Sequence, residues 1–176
     1  MIDAINQIGD KYNLPRGWIN SDFMRTDSYS SKLIEFSVYY KTLSGVVEIR
    51  SISAEYLVAM KLKSGRKFKN DMSDIIGILK EHEKRGQPIL WDMLEKAVFD
   101  LYGNWNAIPS ESVTFIRNAL SRGDYENVYL QTKGNEQTIR MRLLDFQKKY
   151  PNTVNQSNVE SLIGLLESND EDQNKK

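Results

Sequence analysis

The sequence predicts an α+β fold, in which a small mixed sheet carries a β-hairpin covered by helices and is followed by a helical C-terminal region. Two neighbouring stretches, KLIEFSVYY and VVEIRSI, alternate apolar and polar residues and are separated by Ser44-Gly45, the pattern of a hairpin with one buried face. From Ser53 onward the apolar residues recur at helical spacing instead. With 176 residues, 40% of them apolar and 10% aromatic, the chain has the length for one domain with a real core, or for a modest domain plus a helical extension.

Ile2, Ile5, Ile8 and Tyr12 recur at helical spacing and Leu14-Pro15 closes the pattern, so an amphipathic helix is expected at the start. Its abrupt beginning suggests a segment that packs against elements upstream. Residues 16–31 read as a loop with one helical turn. In the first strand Ile34, Phe36, Val38 and Tyr40 share one face, with Glu35, Ser37 and Tyr39 on the other. A hairpin alone is marginal in water, so a further strand or a helical cover is expected. Ser53 suits the N-cap of SAEYLVAMKLKS, with Gly65 as its stop. Asn70 or Asp71 suits the cap of NDMSDIIGILKEHEKRG, whose Ile75, Ile76, Ile78 and Leu79 form a core stripe. Further helices are expected at 89–102, 110–122, 125 or 134 to 150, and 154–166, with Trp91, Trp105, Phe115, Ile116, Leu143, Leu144, Phe146 and Leu162 as core. A seam at 102–109 divides an α/β portion, 1–102, from a helical region, 109–168, with a disordered tail at 169–176.

Composition narrows the chemistry. The 24 basic and 24 acidic side chains cancel, so no global field draws the chain to nucleic acid, and any such contact has to be local. Without cysteine there is no thiolate metal site, disulfide or Cys nucleophile, and with His82 as the one histidine a triad hydrolase is a poor fit. No stretch has the apolar length of a membrane span, and a cytoplasmic location is the default expectation.

The densest polar arrangement lies in SAEYLVAMKLKSGRKFKNDMSDIIGIL. Lys61 sits in the apolar part of one helix, Gly65-Arg66 makes the turn, and Asp71 and Asp74 lie three apart in the first turn of the next. Residues three apart share a helix face, and the helix N-terminus moderates the repulsion between the two carboxylates. Such a lysine and such a pair can together surround a phosphate or a metal-bound nucleotide. The plainer reading makes Asp71 an N-cap, pairs Asp74 with backbone or Arg66, and lets Lys61 snorkel out of a core helix.

This order, a Leu-rich helix with AxKL, a small-residue turn with Arg, then a basic stretch into DxxDI, resembles the downstream half of the minimal nucleotidyltransferase superfamily, especially its bacterial uncharacterised and abortive-infection toxin-like branches. NLPRGWINSDF is similar to the segment that precedes a later strand there, and the likeness covers residues 2–79. It implies that Lys61, with Arg66 beside it, contacts nucleotide phosphate and that Asp71 or Asp74 supports the active site. It also implies Mg²⁺ and a nucleoside triphosphate as cofactors, and transfer of a nucleotidyl group to a hydroxyl. Those enzymes hold phosphates on a Gly-Ser turn and seat two Mg²⁺ ions on the Asp-x-Asp that follows it on a strand. That element has no counterpart here, for Gly9-Asp10 lies in a predicted helix and Asp170-Glu171-Asp172 in the predicted tail. The chain is then a fragment, a partner of a second chain that supplies the strand, or a non-catalytic relative.

Other features read more plainly. Trp18, Phe23, Tyr29, Tyr39 and Tyr40 beside Lys32, Lys41 and Arg50 resemble a base-stacking platform, yet rings on half-buried strands are ordinary sheet cover. Glu35 and Glu48 lie on different strands, where solvated-face residues are expected. The basic run from Lys61 to Lys69 can steer a polyanion or be solvated charge, and His82 suits a helix C-terminus. The leading expectation is a nucleotidyltransferase-like protein with nucleotide as partner. The competing one is a non-enzymatic interaction module that forms a homodimer or meets a partner chain through an exposed strand edge.

Overall fold

The computed structural model describes residues 2–15, 17–19, 21–155 and 157–173, with side chains from 3 to 166 among them. Its α+β class and helical C-terminal region are as the sequence predicts. After α1 (Ile2–Tyr12) come two 3-10 turns, Asp22–Arg25 and Ser31–Ile34, then β1 (Ser37–Leu43) and β2 (Val47–Ile52). The remainder is helical: α2 (Ala54–Ser64), α3 (Asp71–Lys84), α4 (Trp91–Tyr102), α5 (Ser110–Arg122), α6 (Tyr125–Lys149) and α7 (Val159–Gln173), with one short 3-10 turn at Trp105–Ala107. Of the predicted tail, residues 174–176 lie outside the described residues, as do Arg16 and Asn20 of the predicted loop.

The hairpin departs from expectation. Among the described residues its sheet is two antiparallel strands, and the first begins at Ser37, because residues 31–34 wind into a 3-10 turn. A bulge between Tyr39 and Lys41 puts Tyr40 out of step, so Val38, Lys41 and Leu43 align with Ser51, Ile49 and Val47. The resulting apolar face is open: Val38 is 50% exposed, Leu43 43%, Val47 53% and Ile49 36%. The helices satisfy one another instead of covering it. The rings of the imagined platform also disperse, since Trp18 Nε1 donates to the Ile5 carbonyl, Phe23 packs edge-on to Tyr29, and Tyr39 pairs with Thr42.

The core lies among α2 to α6. Val58, Ala59 and Leu62 of α2 interlock with Ile75, Ile76 and Leu79 of α3 and with Leu94, Ala97 and Val98 of α4. Ile108 and Ile116 join this same cluster, so one core continues past residues 102–109. Leu143, Val159 and Ile163 make a smaller cluster between α6 and α7, to which Phe68 reaches from the α2–α3 loop, whereas Leu144 is exposed. The stripe of α1 is not partnered in this way, for Ile8 and Tyr12 are exposed.

One backbone position decides how α2 hands over to α3. Gly65 ends α2 in the left-handed region at φ 55°, and a Cβ there would lie 2.9 Å from Ser112 Oγ. Gly65→Ala is therefore expected to cost about 1–2 kcal/mol through backbone strain and that contact. Urea unfolding checks it, and a loss below about 0.5 kcal/mol would show the turn to be unstrained.

Candidate functional site

All four residues singled out in the sequence converge. The helix face that buries Val58 and Leu62 leaves Lys61 beside α3, and the Gly65 turn brings the first turn of α3 back against it. Lys61 Nζ donates to Asp74 Oδ2 at 2.7 Å and lies 3.7 Å from Asp71 Oδ1. Arg66 grips Asp71 with its guanidinium, Nε to Oδ2 at 2.8 Å and a second N–H to Oδ1 at 3.1 Å, while its backbone N–H reaches Oδ2 at 3.2 Å.

The two carboxylates differ in character. The Asp71 side chain is 4% exposed, against 48% for Asp74. Burial pushes the Asp71 carboxyl up, but the hydrogen bonds and charge of Arg66 outweigh it and hold the group below the usual carboxylate value. Asp71 is thus the buried anchor, and Asp74 is the accessible partner of Lys61.

Neither aspartate caps α3 through its side chain. Asn70 occupies the cap position without a side-chain cap bond, and its amide oxygen instead accepts from Arg140 at 2.6 Å. The acceptor at this helix start comes from α6. Glu136 Oε1 takes the N–H groups of Met72 at 3.0 Å and Ser73 at 3.2 Å, which sets a carboxylate on the positive end of α3. Glu136 is 4% exposed, and its buried Oε2 has no hydrogen-bond partner. Burial pushes its carboxyl up, the bonds from Ser73 and Met72 oppose this, and the Asp74 charge adds to the rise.

An open groove of about 560 Å³ begins at Lys61 and Asp74. One wall is the α2 face bearing Leu57 and Lys61. The other is the α3 face bearing Asp74, Ile78, His82 and Arg85, and Tyr129 of α6 adds the aromatic ring. That ring lies beside Gly77, and the ammonium groups of Lys80 and Lys133 lie over it at 5.5 and 5.2 Å. His82, read in the sequence as a helix-end residue, is part of this wall.

The rest of the basic run is distributed among separate partners. Lys63 donates to the Ala107 carbonyl and Lys67 pairs with Glu111, so the run is not one open cationic surface. Glu48 pairs with Arg50, and Glu35 lies before β1. As a seat for the two Mg²⁺ ions implied above, the cluster does not fit. Asp71 is committed to Arg66, and among the described residues no three His, Asp or Glu side chains converge on one point. The side chains of 170–172 lie outside the described residues.

Glu136, Arg140 and Tyr129 escaped the sequence reading. The one local hint was that Glu136 and Arg140, four apart, share a face of a polar helix. No helix among the described residues is long and apolar enough to cross a membrane. Compared with protein-family models, with curated proteins and with solved structures, the chain matches none.

Proposed function

We propose that this chain is the nucleotide-holding part of a nucleotidyltransferase-like protein, and that Lys61 takes the phosphate end of a nucleoside triphosphate lying in the groove between α2 and α3. The observation that carries this is the opening of a groove of about 560 Å³ directly onto Lys61, a size in the range of small-ligand sites. Arg66 and Asp71 satisfy each other behind Lys61, which leaves Lys61 and Asp74 as the pair that faces a ligand. An arriving phosphate exchanges one anionic partner of Lys61 for another. Asp74, half-exposed, turns to water as it yields. Arg66 acts by holding Asp71 behind the lysine. These residues bind and orient, and no bond-making step is assigned to them. In a complete enzyme the reaction would be nucleotidyl transfer to a hydroxyl, with Mg²⁺ seated elsewhere than on Asp71 and Asp74.

Thermal unfolding with each nucleoside triphosphate, with and without Mg²⁺, tests this reading. At a hundred times its Kd a ligand stabilises by about 2.7 kcal/mol, which is roughly 5–10 °C for a chain of this length. Lys61→Met is expected to abolish that rise while lowering stability by less than about 1 kcal/mol, since Asp71 keeps Arg66 and Asp74 returns to solvent. The absence of a rise with every triphosphate would sink the proposal. A second reading, the interaction module, draws its support from the open apolar face of the hairpin.

A further inference from the structure

We propose that two copies of this chain join along the free edge of β2, antiparallel and with Ile49 on the two-fold axis, into a four-stranded sheet. Among the described residues the sheet has two strands, so each strand has one edge without a neighbouring strand. The edges are not equivalent. β1 is interrupted by the bulge at Tyr40 and carries Lys41 at its middle, both of which blunt an edge against pairing. β2 is six residues, VEIRSI, with no bulge, proline or glycine.

The side chains of β2 favour its own copy. Glu48 and Arg50 lie two apart on one face, joined at 2.6 Å, with side chains 51% and 44% exposed. An antiparallel two-fold at Ile49 places Glu48 opposite the second copy's Arg50, and Arg50 opposite its Glu48, closing a ring of four alternating charges. On the other face Ile49 meets its own copy, beside the exposed Val47 and with Lys41 of β1 flanking it. Neighbouring registers fail. An axis at Glu48 or at Arg50 sets like charges directly opposite each other, and an axis between residues would set opposite each other side chains that point to different faces of the sheet. Guanidinium donors remain for the cross-pair, because Arg50 uses Nε and one terminal nitrogen on Ser37 and the other on Glu48.

This pairing stands apart from the nucleotide reading, and its failure would leave that reading untouched. Light scattering of the purified full chain over a concentration series should show a dimer. Glu48→Arg should give a monomer, and the double reversal Glu48→Arg with Arg50→Glu should restore the dimer. Because the chain has no cysteine, Ile49→Cys supplies a single thiol on the axis. It should form a disulfide-linked dimer under mild oxidant much faster than Thr42→Cys on β1. Circular dichroism checks that the charge variants fold, and if one does not, the cysteine pair decides alone. A wild-type monomer throughout the micromolar range, a Glu48→Arg variant that associates like wild type, or equal cross-linking of the two thiols would overturn the proposal.

Discussion

Asp71→Ala is expected to lower the unfolding free energy by about 3 kcal/mol, the low end of what removing one partner of a buried ion pair costs. The side chain is 4% exposed and holds both the guanidinium and the backbone N–H of Arg66. Its loss leaves Lys61 one carboxylate short and the turn after α2 without its tether. The figure falls at the low end because Arg66 is 43% exposed and can recover hydration. For a chain of this length the midpoint should drop by roughly 6–12 °C. Asp74→Ala, at a half-exposed position, should cost less than about 1 kcal/mol. Equal losses for the two variants would show that burial does not distinguish them.

The acid limb of stability carries the same signature. In the folded chain the Asp71 carboxyl titrates below its ordinary value of 3.8, so as pH falls the unfolded chain takes up its proton first. The stabilisation is therefore complete above about pH 4 and is lost as pH falls through the lower folded value. Asp71→Asn should show a shallower decline below pH 4 than wild type in urea titrations. A parallel decline would mean that other carboxylates govern acid unfolding.

Glu136→Ala should cost about 2–4 kcal/mol, since it strips two N–H groups at the start of α3 of their acceptor and opens a hole between α3 and α6. Glu136→Gln keeps an accepting oxygen and should lose less. Its pH signature has the opposite sense to that of Asp71. Burial raises the Glu136 carboxyl above its ordinary 4.5, so between that value and the raised one the folded chain holds a proton that the unfolded chain has released. Stability then falls as pH rises through this window. Asp74 lies on the α3 side of the group and sharpens the rise, while Lys133 lies on its own helix. Glu136→Gln should remove this slope, and a slope unchanged in that variant would assign it to another group.

The elements that could be read from the chain were those governed by neighbours in sequence. The helices at α2 to α6 follow from apolar spacing, the first of them stopped by Gly65, and Lys61 meets Asp74 because one turn joins their helices. The hairpin was legible as an alternation, but the bulge at Tyr40 was not, since nothing in SVYYKTL marks which residue steps out. With no helix laid over the strands, Val38 stands half-exposed where a buried face was expected. The acceptor for α3 was illegible for another reason. Asn70 has the residue type of a cap, yet the carboxylate that serves comes from Glu136, chosen by how α6 packs on α3.

That borrowed acceptor also sets a schedule. The start of α3 is completed by a residue 64 positions later in the chain, so on a ribosome adding about 5–20 residues per second Met72 is synthesised roughly 3–13 s before its acceptor. Until then Met72 and Ser73 have only water or a chaperone to turn to. Lys61 and Asp74 are synthesised early, but the helix that presents Asp74 is secured late.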